Sequence, residues 1–243
     1  MNAAKWAAAL LVAFIGALTS GRASTVLLND TFSGSSLDAS LWQTILPNGS
    51  SSVTQSGGGL TTTARGILGS VAGFSGPLTL SGTFTLLNDS EHFKIVLRSD
   101  LTSTGSYDER TGLIVAFAND GDNVSIQELT NPMANWQLIA ATGNGGYRLT
   151  TGVPYAFSIV DTGTSVSVSL NGAPVVSANT TWSTGNHIGF YSREFAGTGT
   201  RLDEVTVTSP VPDTASTGLL LTGALGLLHV ARGPRPARKP VAR

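Results

Sequence analysis

Leu78-Thr79-Leu80-Ser81-Gly82-Thr83-Phe84-Thr85-Leu86 is the stretch whose pattern decides the fold. Leu78, Leu80, Phe84 and Leu86 alternate with Thr79, Ser81, Thr83 and Thr85, a period of two. Successive side chains of a strand point to opposite faces, so this stretch turns one face to a core and the other to water. Phe93, Ile95 and Leu97 repeat the pattern against Lys94, Val96 and Arg98, as do Val166, Val168 and Leu170 against Ser165, Ser167 and Ser169. Asn171-Gly172 follows that last run and is a strong hairpin signal, because both turn residues need positive φ. Comparable runs occupy 26–32, 59–65, 112–118, 124–129, 136–140, 155–160, 187–192 and 201–208. They amount to about a dozen short strands separated by Gly, Asn, Asp and Pro, while 36–42 offers only a single helical turn. The expectation is an all-β, antiparallel, two-sheet β-sandwich.

Composition narrows the function classes. The 243 residues include no Cys, which excludes disulfide scaffolds, cysteine zinc sites and thiol nucleophiles. Net charge is −1 with only 12% charged residues, so the basic surface that nucleic-acid binding needs is missing.

The two ends read as addresses. Lys5, an apolar run from Trp6 to Leu18, and small residues Gly21 and Ala23 form a secretory signal, with cleavage after Ala23. Its thirteen apolar residues would reach about 20 Å as a helix, short of the roughly 30 Å hydrocarbon core. At the other end Val211-Pro212-Asp213-Thr214-Ala215-Ser216-Thr217 precedes an apolar helix at 219–231 and a basic tail at 232–243. Five of the 14 basic residues sit in those last twelve positions and hold the tail on the cytoplasmic side. The apolar run is again short for a stable span, so its membrane contact is transient. The order of box, helix and basic tail resembles the PEP-CTERM sorting signals of exopolysaccharide-producing bacteria, in the Val-Pro-Asp-x-x-Ser-Thr form. The resemblance implies an exosortase, a membrane transpeptidase, as partner, with Val211, Pro212, Asp213, Ser216 and Thr217 as its recognition box. It departs at Thr222 and His229, which interrupt the helix, and at Pro234, Pro236 and Pro240. The domain between the signals is 24–209, with 210–243 as sorting tail.

Asp30-Thr31-Phe32 with Leu37, Asp38 and Trp42 resembles the opening of concanavalin A-like or laminin-G-like jelly rolls. Val166 to Gly172 and Ile188-Gly189-Phe190-Tyr191 with Leu202-Asp203-Glu204-Val205 resemble later parts of the same fold. The resemblance implies binding of glycans or proteins, or cleavage of polysaccharides.

Catalytic patterns are thin. Glycan-cleaving members of that fold resemble each other in a Glu-x-Asp-x-Glu strand, and no such triplet occurs here. Asp120, Asp122 and Glu128 come nearest, but 119–123 reads as a hairpin loop, and Glu109 and Glu194 stand in loops. A lyase needs a Tyr or His base beside a cation; His92, His187, Tyr191, Arg193 and Arg98 are available, yet no spacing gathers them. The glycine runs at 57–59 and 143–146 lack a phosphate loop's Lys-Ser/Thr ending. The enzyme reading is therefore disfavoured.

Two carboxylates share register with core residues: Asp30 with Val26, Leu28 and Phe32, and Asp203 with Val205 and Val207. An inward carboxylate needs a partner. One expectation is that Asp30 and Asp203 share a structural Ca²⁺; the alternative is that each caps a turn or pairs with Arg201. For sugars the useful residues are exposed aromatics, which stack on ring faces. Trp42 reads as buried, leaving Trp136 and Trp182, with Tyr107 and Tyr147, as candidate carbohydrate contacts. Core packing is the competing role for each of them.

The signal implies export, and the sorting-signal resemblance implies a Gram-negative bacterium and delivery to the cell surface or extracellular matrix. The protein reads as a non-catalytic glycan- or exopolysaccharide-binding module. A secreted polysaccharide hydrolase or lyase, or a purely structural surface protein, is the alternative.

Overall fold

The computed structural model describes residues 24–46, 50–89, 92–101, 111–119, 121, 123–130, 136–192 and 199–210. The signal at 1–23, the sorting tail from 211 on, Tyr107, Asp120, Asp122, Glu109, Arg193 and Glu194 lie outside these residues. Thr25–Pro210 forms one compact unit.

Fifteen strands make up the described residues, with no helix among them. The first five are β1 (Ser24–Asp30), β2 (Trp42–Ile45), β3 (Ser52–Ser56), β4 (Gly59–Thr63) and β5 (Ile67–Ser70). Next come β6 (Leu78–Leu86), β7 (His92–Ser99), β8 (Gly112–Ala118), β9 (Asn123–Leu129) and β10 (Trp136–Ala141). The last are β11 (Pro154–Asp161), β12 (Ser165–Leu170), β13 (Ala173–Asn179), β14 (His187–Ser192) and β15 (Thr200–Pro210). The larger sheet runs β13-β12-β11-β6-β15-β4-β3, with β1 beside β15; the smaller runs β10-β9-β8-β7-β14-β5-β2. The registered pairs are antiparallel, and the two sheets form the expected sandwich. The single turn at 36–42 is a loop closure on the Asp38 carbonyl, which accepts from Leu41 N–H at 3.1 Å and Trp42 N–H at 3.0 Å.

β6 shows why the alternation decided the fold. Leu78, Leu80, Phe84 and Leu86 are buried and the intervening Ser and Thr are half-buried. Gly82 fills the remaining inward slot, where a Cβ would come within 2.9 Å of the Phe157 ring. Phe84 lies 4.8 Å from Phe117 and 4.9 Å from Phe93, ring centre to ring centre, so the sheets meet through tilted aromatic pairs. Each such burial stabilises by about 1.5–3 kcal/mol. A hydroxyl pair also joins the sheets, Thr62 of β4 to Ser192 of β14 at 2.8 Å.

The smaller sheet has a second apolar layer on its outer face, formed by Ile67, Val96, Ile114, Leu129 and Tyr191. Leu101 lies over it: Cβ atoms added at Gly69 and Gly189 would stand 2.7 and 3.3 Å from its methyls. Both sheets end in interrupted strands on one flank. β13 carries Pro174 and a bulge, β10 carries a bulge between Leu138 and Ala140, and the two strands touch.

The hairpin at Asn171-Gly172 forms as the sequence implies, with φ of 50° and 79°. Asn171 locks it through its own backbone N–H on the Ala156 carbonyl at 2.7 Å and its Oδ1, which accepts from Ala156 N–H at 3.0 Å.

Candidate functional site

A cleft of about 240 Å³ opens at one end of the sandwich, and its lining includes an ion pair between the sheets. Residues 93, 95 and 97 of β7 face the core, so simple alternation would turn Arg98 outward. It does not, because β7 holds one extra residue between the pairs His187–Ser99 and Gly189–Val96. Arg98 takes φ of 50° in this bulge. A bulge redirects the side chain it carries, and Arg98 reaches across to Asp161 at the end of β11. Its Nε donates to Oδ2 at 2.8 Å, its Nη2 to Oδ1, and its Nη1 to the Trp182 carbonyl. Asp161 Oδ1 also accepts from Gly163 N–H at 2.8 Å. The side chains are 12% and 2% exposed. This paired, doubly hydrogen-bonded arrangement is what a buried charge requires.

The same bulge seats the 180–186 segment. The Trp182 indole N–H is shared between the Arg98 and Thr184 carbonyls at 2.9 and 2.8 Å. Asn186 N–H donates to the Ser99 carbonyl at 3.1 Å, and its own carbonyl accepts from Phe74 N–H at 2.6 Å. Gly185 is required there: its φ is 81°, and a Cβ would strike the Ser99 carbonyl carbon at 2.4 Å. Phe74, Leu78, Leu97 and Ile188 give the cleft an apolar floor, and Ser75, Ser183 and Asn186 stand among its polar lining. Among the lining residues, Arg98 and Asp161 alone carry formal charge.

The structure separates the sequence candidates. Trp182 is half-buried against the main core with its N–H spent, yet its segment borders the cleft. Tyr147 is also half-buried on the core, beside Tyr155. Tyr155 pairs with Phe84 while Asp161 pairs with Leu78, so the two sit about 20 Å apart along β6. Burial, and secondarily Tyr155, pushes the Tyr147 phenol above its ordinary 10.0. Trp136 begins β10 opposite Leu129; its side chain lies outside the description.

The paired-carboxylate expectation meets a different arrangement. Asp30 accepts from the Trp42 indole N–H at 2.7 Å and from Phe32 N–H at 2.7 Å, one on each oxygen. Asp203 accepts from Arg201 Nε at 2.6 Å. The register between β15 and β6 slips between Leu202 and Glu204, so Asp203 is an extra residue and does not share the inward parity of Val205. Among the described residues there is no group of three or more His, Cys, Asp or Glu that could hold a metal ion. Glu128 accepts from the Thr180 hydroxyl at 2.5 Å, and His187 Nδ1 lies 3.0 Å from the Ser70 carbonyl. Tyr191 is 1% exposed, with Lys94 Nζ 5.7 Å from its ring centre.

Asp161 escaped the sequence reading although its signal was present. It stands in register with Tyr155, Phe157 and Ile159, the same parity that singled out Asp30.

No protein-family model matches the chain, and no curated protein matches it. Solved structures do share its fold. The carbohydrate recognition domain of Emp47p is 15% identical with a TM-score of 0.56, over 79% of this chain and 97% of that one. The Bacillus licheniformis β-glucanase is 15% identical with a TM-score of 0.53, over 75% and 97%. The carbohydrate-binding module CBM66 from Bacillus subtilis is 15% identical with a TM-score of 0.51, over 70% and 92%. The fold is therefore the jelly roll that these three structures share.

Proposed function

We propose that this chain is an exported, non-catalytic glycan-binding module, carried to the surface of a Gram-negative cell and held in or near its exopolysaccharide. The observation that carries the reading is the cleft at the Arg98–Asp161 end. It combines an apolar floor with a few polar groups on a rigid jelly roll, as a sugar with one apolar face and hydroxylated edges requires. The carbohydrate recognition and carbohydrate-binding roles named for two of the similar structures support the same class of ligand. Export rests on the signal at 1–23, and surface delivery on the 211–217 box, the helix and the basic tail, with an exosortase as the processing partner.

The test is passage of the purified chain over immobilised neutral and acidic polysaccharides, with product analysis of the same glycans in solution. Retardation without new products is the expected result. New reducing ends or unsaturated sugars would make it an enzyme instead. No retardation and no product would leave a structural surface protein.

A further inference from the structure

Resting on that reading, the geometry points to the end cleft as a pocket for one uncharged sugar ring at the tip of a polysaccharide chain. Three features of the cleft converge on that ligand.

The first is size. A cleft of about 240 Å³ falls below the roughly 300–1,000 Å³ of pockets that enclose drug-sized molecules. It admits one ring rather than a run of them. A groove for an internal stretch of polymer would extend along a sheet face, whereas this cleft sits between the sheets at their end, bordered by 74–76, 161–163 and 183–186.

The second is charge. Arg98 would be the natural anchor for a uronic acid or a sulfate, but its Nε and Nη2 already hold both oxygens of Asp161 and its Nη1 holds the Trp182 carbonyl. An anionic ligand would meet a cation already neutralised by a carboxylate that is 2% exposed, and drawing Arg98 away would leave that carboxylate buried without its partner, a strongly unfavourable exchange. The electrically neutral pair suits hydroxyl groups, which can donate and accept in turn.

The third is preorganisation. The bulge at Arg98 fixes the pair, the Trp182 carbonyl and the Ser99 carbonyl that seats Asn186 in one hydrogen-bonded unit. A site held this way loses little freedom on binding, which lets a ligand as small as one ring be retained.

The experiment uses the full chain and three neutral polymers, dextran, galactan and mannan, each competed with its own monomer, glucose, galactose or mannose. On the polymer that retains the chain, the matching monomer competes, while glucuronic and galacturonic acid do not. Partial hydrolysis of that polymer at constant mass raises the number of binding sites in proportion to the new chain ends. Ser183→Trp and Ser75→Trp, each placing a large ring at an exposed lining position, weaken retention about tenfold or more with thermal unfolding unchanged. Retention that ignores chain-end number, or that survives both Trp variants in a folded protein, overturns the end-pocket assignment and leaves glycan binding standing. Competition by uronic acids but not by neutral monomers overturns the uncharged ligand. Retention on none of the three polymers removes the neutral-glycan reading and this assignment with it.

Discussion

Arg98 and Asp161 lie 63 positions apart in sequence and on different sheets, yet the guanidinium grips both oxygens of the carboxylate. The pair both ties the two sheets together at one end of the sandwich and lines the cleft there.

Removing one partner strands the other. Asp161→Ala is expected to destabilise the fold by about 3–5 kcal/mol, and Arg98→Ala by a comparable amount. Replacing both with apolar residues of similar volume, as in Arg98→Met with Asp161→Leu, costs much less than the sum of the single changes. Urea denaturation of the native protein, Arg98→Met, Asp161→Leu and the double variant measures this; additive effects would mean that the contact carries no coupling.

Asp30 makes the complementary case. Both of its oxygens already accept from protein donors, so EDTA is expected to leave the melting temperature unchanged. Asp30→Ala, which leaves the buried Trp42 indole N–H without an acceptor, should cost about 1–3 kcal/mol and alter tryptophan fluorescence. A chelator-dependent loss of stability would restore the calcium expectation.

Alkaline pH probes Tyr147. The unfolded chain ionises this phenol near 10.0, whereas burial holds the folded phenol protonated to higher pH. Its contribution is therefore complete below about pH 10 and lost as pH rises through the folded value. Stability of the native protein should fall more steeply above pH 10 than that of Tyr147→Phe. Equal slopes in denaturation at pH 9 and pH 11 would contradict this.

Gly172→Ala tests the hairpin. With φ of 79° the position disfavours any Cβ, and the substitution should cost about 1–2 kcal/mol. Asn171→Ala additionally removes the acceptor for Ala156 N–H. Chemical denaturation reads both.

The termini are tested by mass. Protein recovered from the cell surface should lack 1–23 and the residues beyond the 211–217 box, and Pro212→Ala with Asp213→Ala should leave the tail attached. An unprocessed C-terminus on the surface protein would remove the exosortase from the account.

The strands most legible in the sequence were those with long apolar patterns, alternating in β6 and nearly continuous in β8 and β14. Residues 78–86, 112–118 and 187–192 were read to their ends. β5 was missed because it has only four residues, Ile67-Leu68-Gly69-Ser70, with two apolar positions side by side and no repeat to mark a strand. β3 was missed because Val53 is its lone aliphatic residue. Arg98 and Asp203 broke the parity argument for one reason: each is the extra residue of a bulge, and one extra residue reverses the facing of its neighbours. The cleft was illegible because its walls come from 74–78, 97–98, 161–163 and 183–188, brought together only by the crossing of strands between sheets.

The interrupted flank formed by β10 and β13 bears on life at high density. An open strand edge invites a neighbour's backbone to continue the ladder, and Pro174 together with the two bulges denies it a continuous template. Copies crowded side by side thus resist fusing into fibrils along that margin, which leaves the end cleft of each open.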